Sequence, residues 1–429
     1  MSYESPWRSS MVMAPSRRHP QGYSPSFRGR GRVGGSFSSR VPIENLPPDR
    51  DFMEGLVDTP LQTISIPAKD PNQEEVKIAD PTYVGSYNWT RHDKPTIMVP
   101  GSPPLWRNRQ MPYTITPDTG IRYVDRNGYR MHANVLLPLV LAVNKRHEMT
   151  KAPMFDWSSV DFVTDRNNLR GLLRWVNGTS RDFRIDLQLA GGKTILMNRW
   201  SARYREMFNG RTYGFSFERE STDPVPGCRG TQSHHRIITY DLNGLKMVVR
   251  FEVDACIRPP AKYPRKSVSS IDELAESMSS VSLSQEPDSA SGGLLTVLEG
   301  GSEVSAASII EMTTRSQNTL DTRGYDWKEA YPQLYFSQTP HHYLAIHRRG
   351  TFTEIQKRKL SEMVQFEKDA QEDLKKLRKM LEVIKAIVLE HGKKGRISLV
   401  CVEGVLKVYQ RSGDDSCLPS TAMKFFESS

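Results

Sequence analysis

The sequence predicts an α+β fold, a central mixed β-sheet flanked by helices, and three observations carry the prediction. Short runs of alternating apolar and polar residues recur in pairs around turn residues, as hairpins require. Near the C-terminal end Phe366, Ala370, Leu374, Leu377, Leu381, Ile384 and Val388 step by four and three, the spacing of a helix with one buried face. Both patterns lapse in two biased segments, so one interrupted domain is expected. With 429 residues, 37% of them hydrophobic, core size is not limiting.

Residues 1–41 read as a disordered tail rich in Arg, Gly and Ser, and 42–426 as the domain. Up to about residue 143 short extended pieces mix with prolines and close in an apolar stretch, 134–143, read as a helix. Val160-Asp-Phe-Val-Thr164 reads as a strand, and 166–176, with Leu169, Leu172, Leu173 and Val176 at helical spacing, as a helix. Residues 183–189 and 194–197 alternate around Ala190-Gly-Gly192 as a hairpin. Residues 213–218 read as a strand, 237–254 as a hairpin turning at Asn243-Gly244, and 309–313 and 343–347 as further strands. Residues 266–308, dominated by Ser, Glu, Asp and Gly, read as a disordered acidic insertion within the domain. Residues 353–391 read as one helix, with Thr353 and Gln356 as its capping box and Gly392 as its end. A last hairpin, 397–402 with 405–409, turns at Glu403-Gly404.

The formal net charge is +10, which favours an anionic partner such as nucleic acid. Residues 1–40 hold seven arginines and one acid, Glu4, and Phe27-Arg-Gly-Arg-Gly-Arg-Val-Gly-Gly is similar to an RNA-contacting tail. No run approaches the roughly 18 apolar residues that span a bilayer, so no membrane association is expected. The N-terminus lacks the apolar core of a secretory signal, and the four cysteines show neither Cys-x-x-Cys spacing nor disulfide-framework density. The expected location is therefore the nucleus or cytoplasm.

Four acids sit on short apolar runs: Glu218, Glu252, Asp254 and Glu311. In a strand the odd positions Leu245, Met247, Val249, Phe251 and Val253 face one way, so Glu252 and Asp254 share the other side. Carboxylates gathered on a sheet are costly unless neutralised, and hard divalent cations with oxygen ligands do this. Competing readings fail. Gly192-Lys-Thr194 lacks the first glycine of a phosphate-binding loop, since Leu187 stands there. Asp414-Asp415 has no Asp-Asp-x-x-Asp context for a prenyl diphosphate site. His234-His235 and His341-His342, without a Ser-His-Asp or Cys-His setting, read as hairpin surface.

Taken in order, Phe162-Val-Thr-Asp-Arg166, Gly214-Phe-Ser-Phe-Glu218, Glu252-Val-Asp254, Glu311-Met-Thr313 and Tyr331-Pro-Gln333 form a series. It resembles the DXO family of RNA 5'-end decapping nucleases, in the PD-(D/E)XK nuclease superfamily, as a divergent member of fungal type. The resemblance implies a PD-(D/E)XK-like fold and an Mg²⁺- or Mn²⁺-dependent hydrolase. It also implies RNA 5' ends as substrate, a monomeric state and a 5'-to-3' exoribonuclease as partner. It assigns Glu218, Glu252, Asp254, Glu311 and Met312 to the metal, Arg166 and Gln333 to the substrate, and Glu252, Asp254, Glu311 and Gln333 to catalysis. Family members remove 5' pyrophosphate or nucleotide-derived caps such as NAD, and many continue as 5'-to-3' exonucleases.

One position departs from the family. Its fourth motif ends in lysine, where Thr313 stands here. Threonine can hydrogen-bond but carries no positive charge. Arg315, one strand repeat later, and Lys328, on the following helix, are the candidate replacements. Without either, the alternative is a catalytically weakened member that binds RNA ends or a partner exoribonuclease.

Overall fold

The computed structural model describes residues 46–70, 72–258 and 293–427. The expected tail and residues 266–292 of the expected insertion lie outside the described residues. The mixed character of the main sheet begins at its centre, where Phe162–Asp165 runs parallel to both Thr194–Trp200 and Lys246–Val253. Antiparallel hairpins extend it on either side: Phe183–Ala190 with Thr194–Trp200, His234–Leu242 with Lys246–Val253, and Ile397–Val402 with Val405–Gln410. The result among the described residues is an 11-stranded sheet with Gln62–Ile64 and Thr296–Gly301 at its edges.

Strand alternation decides which helices cover which face. Leu245, Met247, Val249, Phe251 and Val253 all lie in one core cluster, as their common parity predicts. The helices Arg166–Val176, Trp327–Ser337 and Val364–His391 pack on that face through Leu169, Leu172, Leu334, Leu377, Leu381 and Ile384. Each such side chain contributes roughly 1.5–3 kcal/mol of burial. Val248 points the other way, into a second cluster with Tyr87, Trp89 and the helix Leu137–Thr150. That helix starts three residues later than expected and runs on to Thr150, since Pro138 at its start has no N–H to satisfy.

At Asp254 the chain changes sheets. Lys246–Val253 ends, and Ala255–Cys256 pairs with Ile309–Ser316 in a second sheet that has seven strands among the described residues. Ile309–Ser316 then runs parallel to His341–Arg348. This junction positions the acids.

Four expectations fail for identifiable reasons. Residues 353–359 belong to the strand Thr351–Lys359, paired with His341–Arg348 around Arg349-Gly350, and the helix begins only at Val364. The turn has φ of 50° and 89° at these two residues, so long-range pairing overrides the Thr353–Gln356 capping pattern. Residues 214–221 form a helix, Gly214–Ser221, because the buried Asp118 accepts from Ser216 N (2.7 Å) and Thr212 Oγ1 (2.8 Å) at its start. Within the expected insertion, Thr296–Gly301 is an ordered strand parallel to Thr96–Gly101, held by the buried Leu295 and Val297.

The fourth concerns histidine. His234, His235 and His342 are buried in strands instead of lying on a hairpin surface. Burial, with Arg236 nearby, pushes the His234 imidazole down to about 3. The unfolded chain binds this proton near pH 6.5 and the folded chain does not. Stability is therefore level above about pH 6.5 and falls as pH drops from there towards the folded value, by up to about 1.4 kcal/mol per pH unit. In urea denaturation His234→Gln is expected to show a shallower loss between about pH 6.5 and 4.5. A slope equal to the wild type's would exclude His234 as a cause.

Candidate active site

Each acid reaches the junction by its own local logic. The parity that buries Met247, Val249 and Phe251 turns Arg250 and Glu252 to the opposite face, and Asp254 follows at the change of sheet. In the helix Gly214–Ser221 the buried Phe217 packs on Phe352, with ring centroids 4.8 Å apart, and anchors Glu218. In Ile309–Ser316, Ile310 and Met312 enter a core cluster with Phe217 and Phe352, so Glu311 and Thr313 face the other side. Met312, expected in the metal set, therefore has its side chain in the core. Its backbone N–H donates to Asp254 Oδ2 at 2.7 Å.

Glu218, Glu252, Asp254, Glu311, Arg166 and Gln333 all line one cleft of about 760 Å³. Arg166, first residue of the helix after Phe162–Asp165, donates from Nη1 to Glu311 Oε2 at 2.9 Å, and Gln333 Nε2 donates to Glu311 Oε1. Behind them Arg250 grips Asp165 through two bonds of 2.7 and 2.8 Å. The helix Trp327–Ser337 supplies Gln333.

The acids crowd one another. Burial pushes the Glu218 carboxyl well above the usual range, and Glu252, Glu311 and Asp118 push it further. Asp254 is raised well above it by burial, then by Glu311 and Glu218, against the opposing Met312 N–H. Glu252 is raised as well, burial leading, while Arg126 and Arg166 pull it back. Glu252 is surrounded by protein yet open to the solvent of the cleft, so water screens part of its charge.

Among the described residues no three His, Cys, Asp or Glu side chains close into a ready-made metal cage. The carboxylates repel one another through space without converging on a single point. Their chemistry nonetheless fits a hard divalent cation: the donors are oxygens, and the mutual repulsion of Glu218, Asp254 and Glu311 is what such a cation relieves. Glu218, Glu252, Asp254 and Glu311 are the residues that would hold it.

Of the two lysine substitutes considered, Lys328 is exposed and lines neither this cleft nor the smaller cavity beside it. Arg315 lines only the smaller cavity, with its guanidinium 5.5 Å from the Tyr325 ring centre. Sequence reasoning missed Arg170, which lies one turn beyond Arg166 on an expected helix and lines both spaces. It also missed His235, which pairs in register with Glu252 and lines the cleft. Burial, then Arg250 and His234, hold the His235 imidazole well below its ordinary value, so it is neutral.

The rest of the cleft suits a polyanion. Arg126, Arg174, Arg199 and Arg203 line it. Trp200 is flanked by Arg50 and Arg184, at 4.5 and 5.0 Å from the ring centre. Guanidinium groups beside aromatic faces can engage phosphates and stack on bases. No helix among the described residues is long and apolar enough to cross a membrane.

The family described as a domain of unknown function, DUF8563, matches residues 61–425. No curated protein matches the chain. Among solved structures, S. pombe Rai1 in complex with 3'-FADP is similar at 12% identity and a TM-score of 0.53, covering 81% of this chain and 99% of that one. Candida albicans Rai1 in complex with pU5-Mn2+ is similar at 11% and 0.54, covering 85% and 98%. Scheffersomyces stipitis Rai1 in complex with (3'-NADP)+ and calcium ion is similar at 10% and 0.55, covering 85% and 99%. At these identities the likeness is one of fold, and it is the fold expected from the order of the acidic motifs. The chain belongs to the DUF8563 family and has the fold of the Rai1 proteins of the DXO family.

Proposed function

We propose that this protein is a metal-dependent hydrolase of RNA 5' ends, removing a 5' pyrophosphate or a nucleotide-derived cap such as NAD. The observation that carries the reading is the crowding of Glu218, Glu252, Asp254 and Glu311 in an arginine-lined cleft. The shared fold with Rai1 proteins solved with pU5-Mn2+ and with 3'-FADP supports it. A bound Mg²⁺ or Mn²⁺ would polarise a phosphoryl oxygen and lower the pKa of water at the site. The carboxylates hold that cation. Arg166 grips a substrate phosphate with its planar donors, and Gln333 orients the Glu311 carboxylate. Progression to 5'-to-3' trimming, a monomeric state, an exoribonuclease partner and a nuclear or cytoplasmic location belong to the same reading.

A second reading, a weakened member that binds RNA ends, is favoured by one observation. Thr313 brings no charge beside Glu311, and both oxygens of Glu311 are engaged, by Arg166 and Gln333. One experiment separates the two: 5'-triphosphate, NAD-capped and 5'-monophosphate RNA incubated with Mn²⁺ and either the wild type or the Asp254→Ala/Glu311→Ala double variant. Turnover by the wild type alone is expected. Equal turnover by both rejects the assigned site, and binding without turnover by the wild type selects the second reading.

A further inference from the structure

Behind one wall of the cleft lies a smaller cavity of about 40 Å³. Arg170, Glu311 and Gln333 line both spaces and form the partition between them. The volume exceeds the roughly 10–15 Å³ that one water molecule needs, so the cavity has room for polar atoms.

Its lining is rich in donors. His342 Nε2 is 3.2 Å from Thr313 Oγ1 and 3.1 Å from the Tyr325 hydroxyl, whereas His342 Nδ1 is buried without a partner. Burial, with Arg315 and Arg358 nearby, keeps this imidazole neutral. A neutral ring carries one proton, and an orphaned buried N–H is rarer than an under-satisfied acceptor. The proton therefore belongs on Nε2, shared between the two hydroxyl oxygens. The Thr313 and Tyr325 hydroxyls also hydrogen-bond each other, so one of their two protons is used between them and the other is left to donate into the cavity. Arg315 Nη1 donates to the Thr314 carbonyl at 2.9 Å, and its other N–H groups have no protein acceptor among the described residues.

The acids in this lining are already served. Glu311 accepts from Arg166 and Gln333, Glu329 from Arg170 and Arg174, and Asp326 from the Glu329 N–H. Arg170 and Arg315 line the cavity with Glu311, Asp326 and Glu329, and Arg166 and Arg174, outside the lining, neutralise Glu311 and Glu329 by pairing with them. Spare donors beside carboxylates that are already paired suit an oxyanion.

We propose that this side cavity is a subsite for a terminal phosphoryl group, with the Thr313–Tyr325 hydroxyl pair and Arg315 as its donors. It deepens the reading of the cleft as an RNA-end site but is defined by its own geometry. The phosphoryl group is supplied either by free phosphate or by the 5' end of an RNA lying in the cleft, and the two sources share one chemistry.

The test uses the full-length protein without divalent cation. Inorganic phosphate is titrated by calorimetry, and 5'-phosphorylated and 5'-hydroxyl oligoribonucleotides are compared by fluorescence anisotropy. Wild type is expected to bind phosphate, with affinity about tenfold lower in Arg315→Gln and in Tyr325→Phe and unchanged in Lys328→Gln. Loss of the preference for a 5'-phosphorylated oligonucleotide in the first two variants identifies the RNA end as the source. A preference that survives while inorganic phosphate weakens identifies free phosphate. No phosphate binding by the wild type, or equal affinities in wild type, Arg315→Gln and Tyr325→Phe, overturns the subsite. Because no turnover is read, a protein that binds phosphate here and hydrolyses nothing rejects the hydrolase reading and keeps the subsite.

Discussion

Asp254→Asn is expected to raise the melting temperature of the metal-free protein while removing the Mn²⁺ response and the turnover of RNA ends that the proposed function requires. Asp254 is held well above the usual carboxylate range by burial, then by Glu311 and Glu218. Its charge therefore opposes folding when no cation is bound. The amide is nearly isosteric, and its oxygen can still accept from Met312 N, now at 2.7 Å from Oδ2. Relief of the repulsion is expected to add about 1 kcal/mol, discounted because Asp254 is only half-buried. Turnover is expected to fall at least about a hundredfold, since a neutral amide is a poor ligand for a hard cation. Thermal denaturation with and without Mn²⁺ measures the stability and the metal response, and hydrolysis of 5'-triphosphate RNA measures the turnover. A metal-free Asp254→Asn protein that melts below the wild type would show that the acids do not strain the fold. An undiminished Mn²⁺ response would remove Asp254 from the metal site.

Arg250→Met is expected to be the most destabilising single change near the site, costing about 3–5 kcal/mol. The Arg250 side chain is fully buried, holds Asp165 through two bonds, and donates to the Tyr87 hydroxyl at 3.1 Å and the Val135 carbonyl at 2.8 Å. Burial works against its charge, but Asp165 more than compensates and the guanidinium is held protonated. Methionine would leave Asp165 largely buried and unpaired. The Arg250→Met/Asp165→Leu double variant is expected to recover part of the loss, because it removes the stranded charge. Urea denaturation of the three proteins measures this. A single variant within about 1 kcal/mol of the wild type would show that the pair contributes specificity rather than stability.

How much of this was legible in the sequence depends on how local each signal is. The helix Arg166–Val176 was read from spacing, because four apolar residues at helical intervals define its buried face whatever it packs against. The hairpins turning at Asn243-Gly244 and Glu403-Gly404 were read from their turn chemistry, and Asn243 and Glu403 do adopt left-handed φ of 46° and 52°. The strand Thr351–Lys359 was misread because its Thr353 and Gln356 satisfy a helix-capping pattern by coincidence, and only pairing with His341–Arg348 excludes it. Glu218 was placed on the wrong element for the same kind of reason: the residue that starts its helix, Asp118, lies almost a hundred positions earlier.

The candidate site divides in the same way. Which acids could act together followed from strand parity and motif order, both properties of the chain itself. Arg166, which pairs with Glu311, was named with them, but which further cations stand near Thr313 was left open between Arg315 and Lys328. Lys328, near in sequence, is exposed away from the cleft, whereas Arg315, and Arg170 which the sequence did not single out, line the side cavity together with Glu311 and Thr313. By itself the sequence determined the α+β class and the faces of the central strands, because alternation and helical spacing are local geometry, while the order of its motifs pointed, through the family resemblance, to the set of acids. Only the tertiary structure decided that the acids crowd where the chain passes from one sheet to the other, and that a donor-lined cavity lies behind Thr313. Both depend on pairings between distant segments, and repulsion or hydrogen bonding between side chains exists only once those segments are brought together.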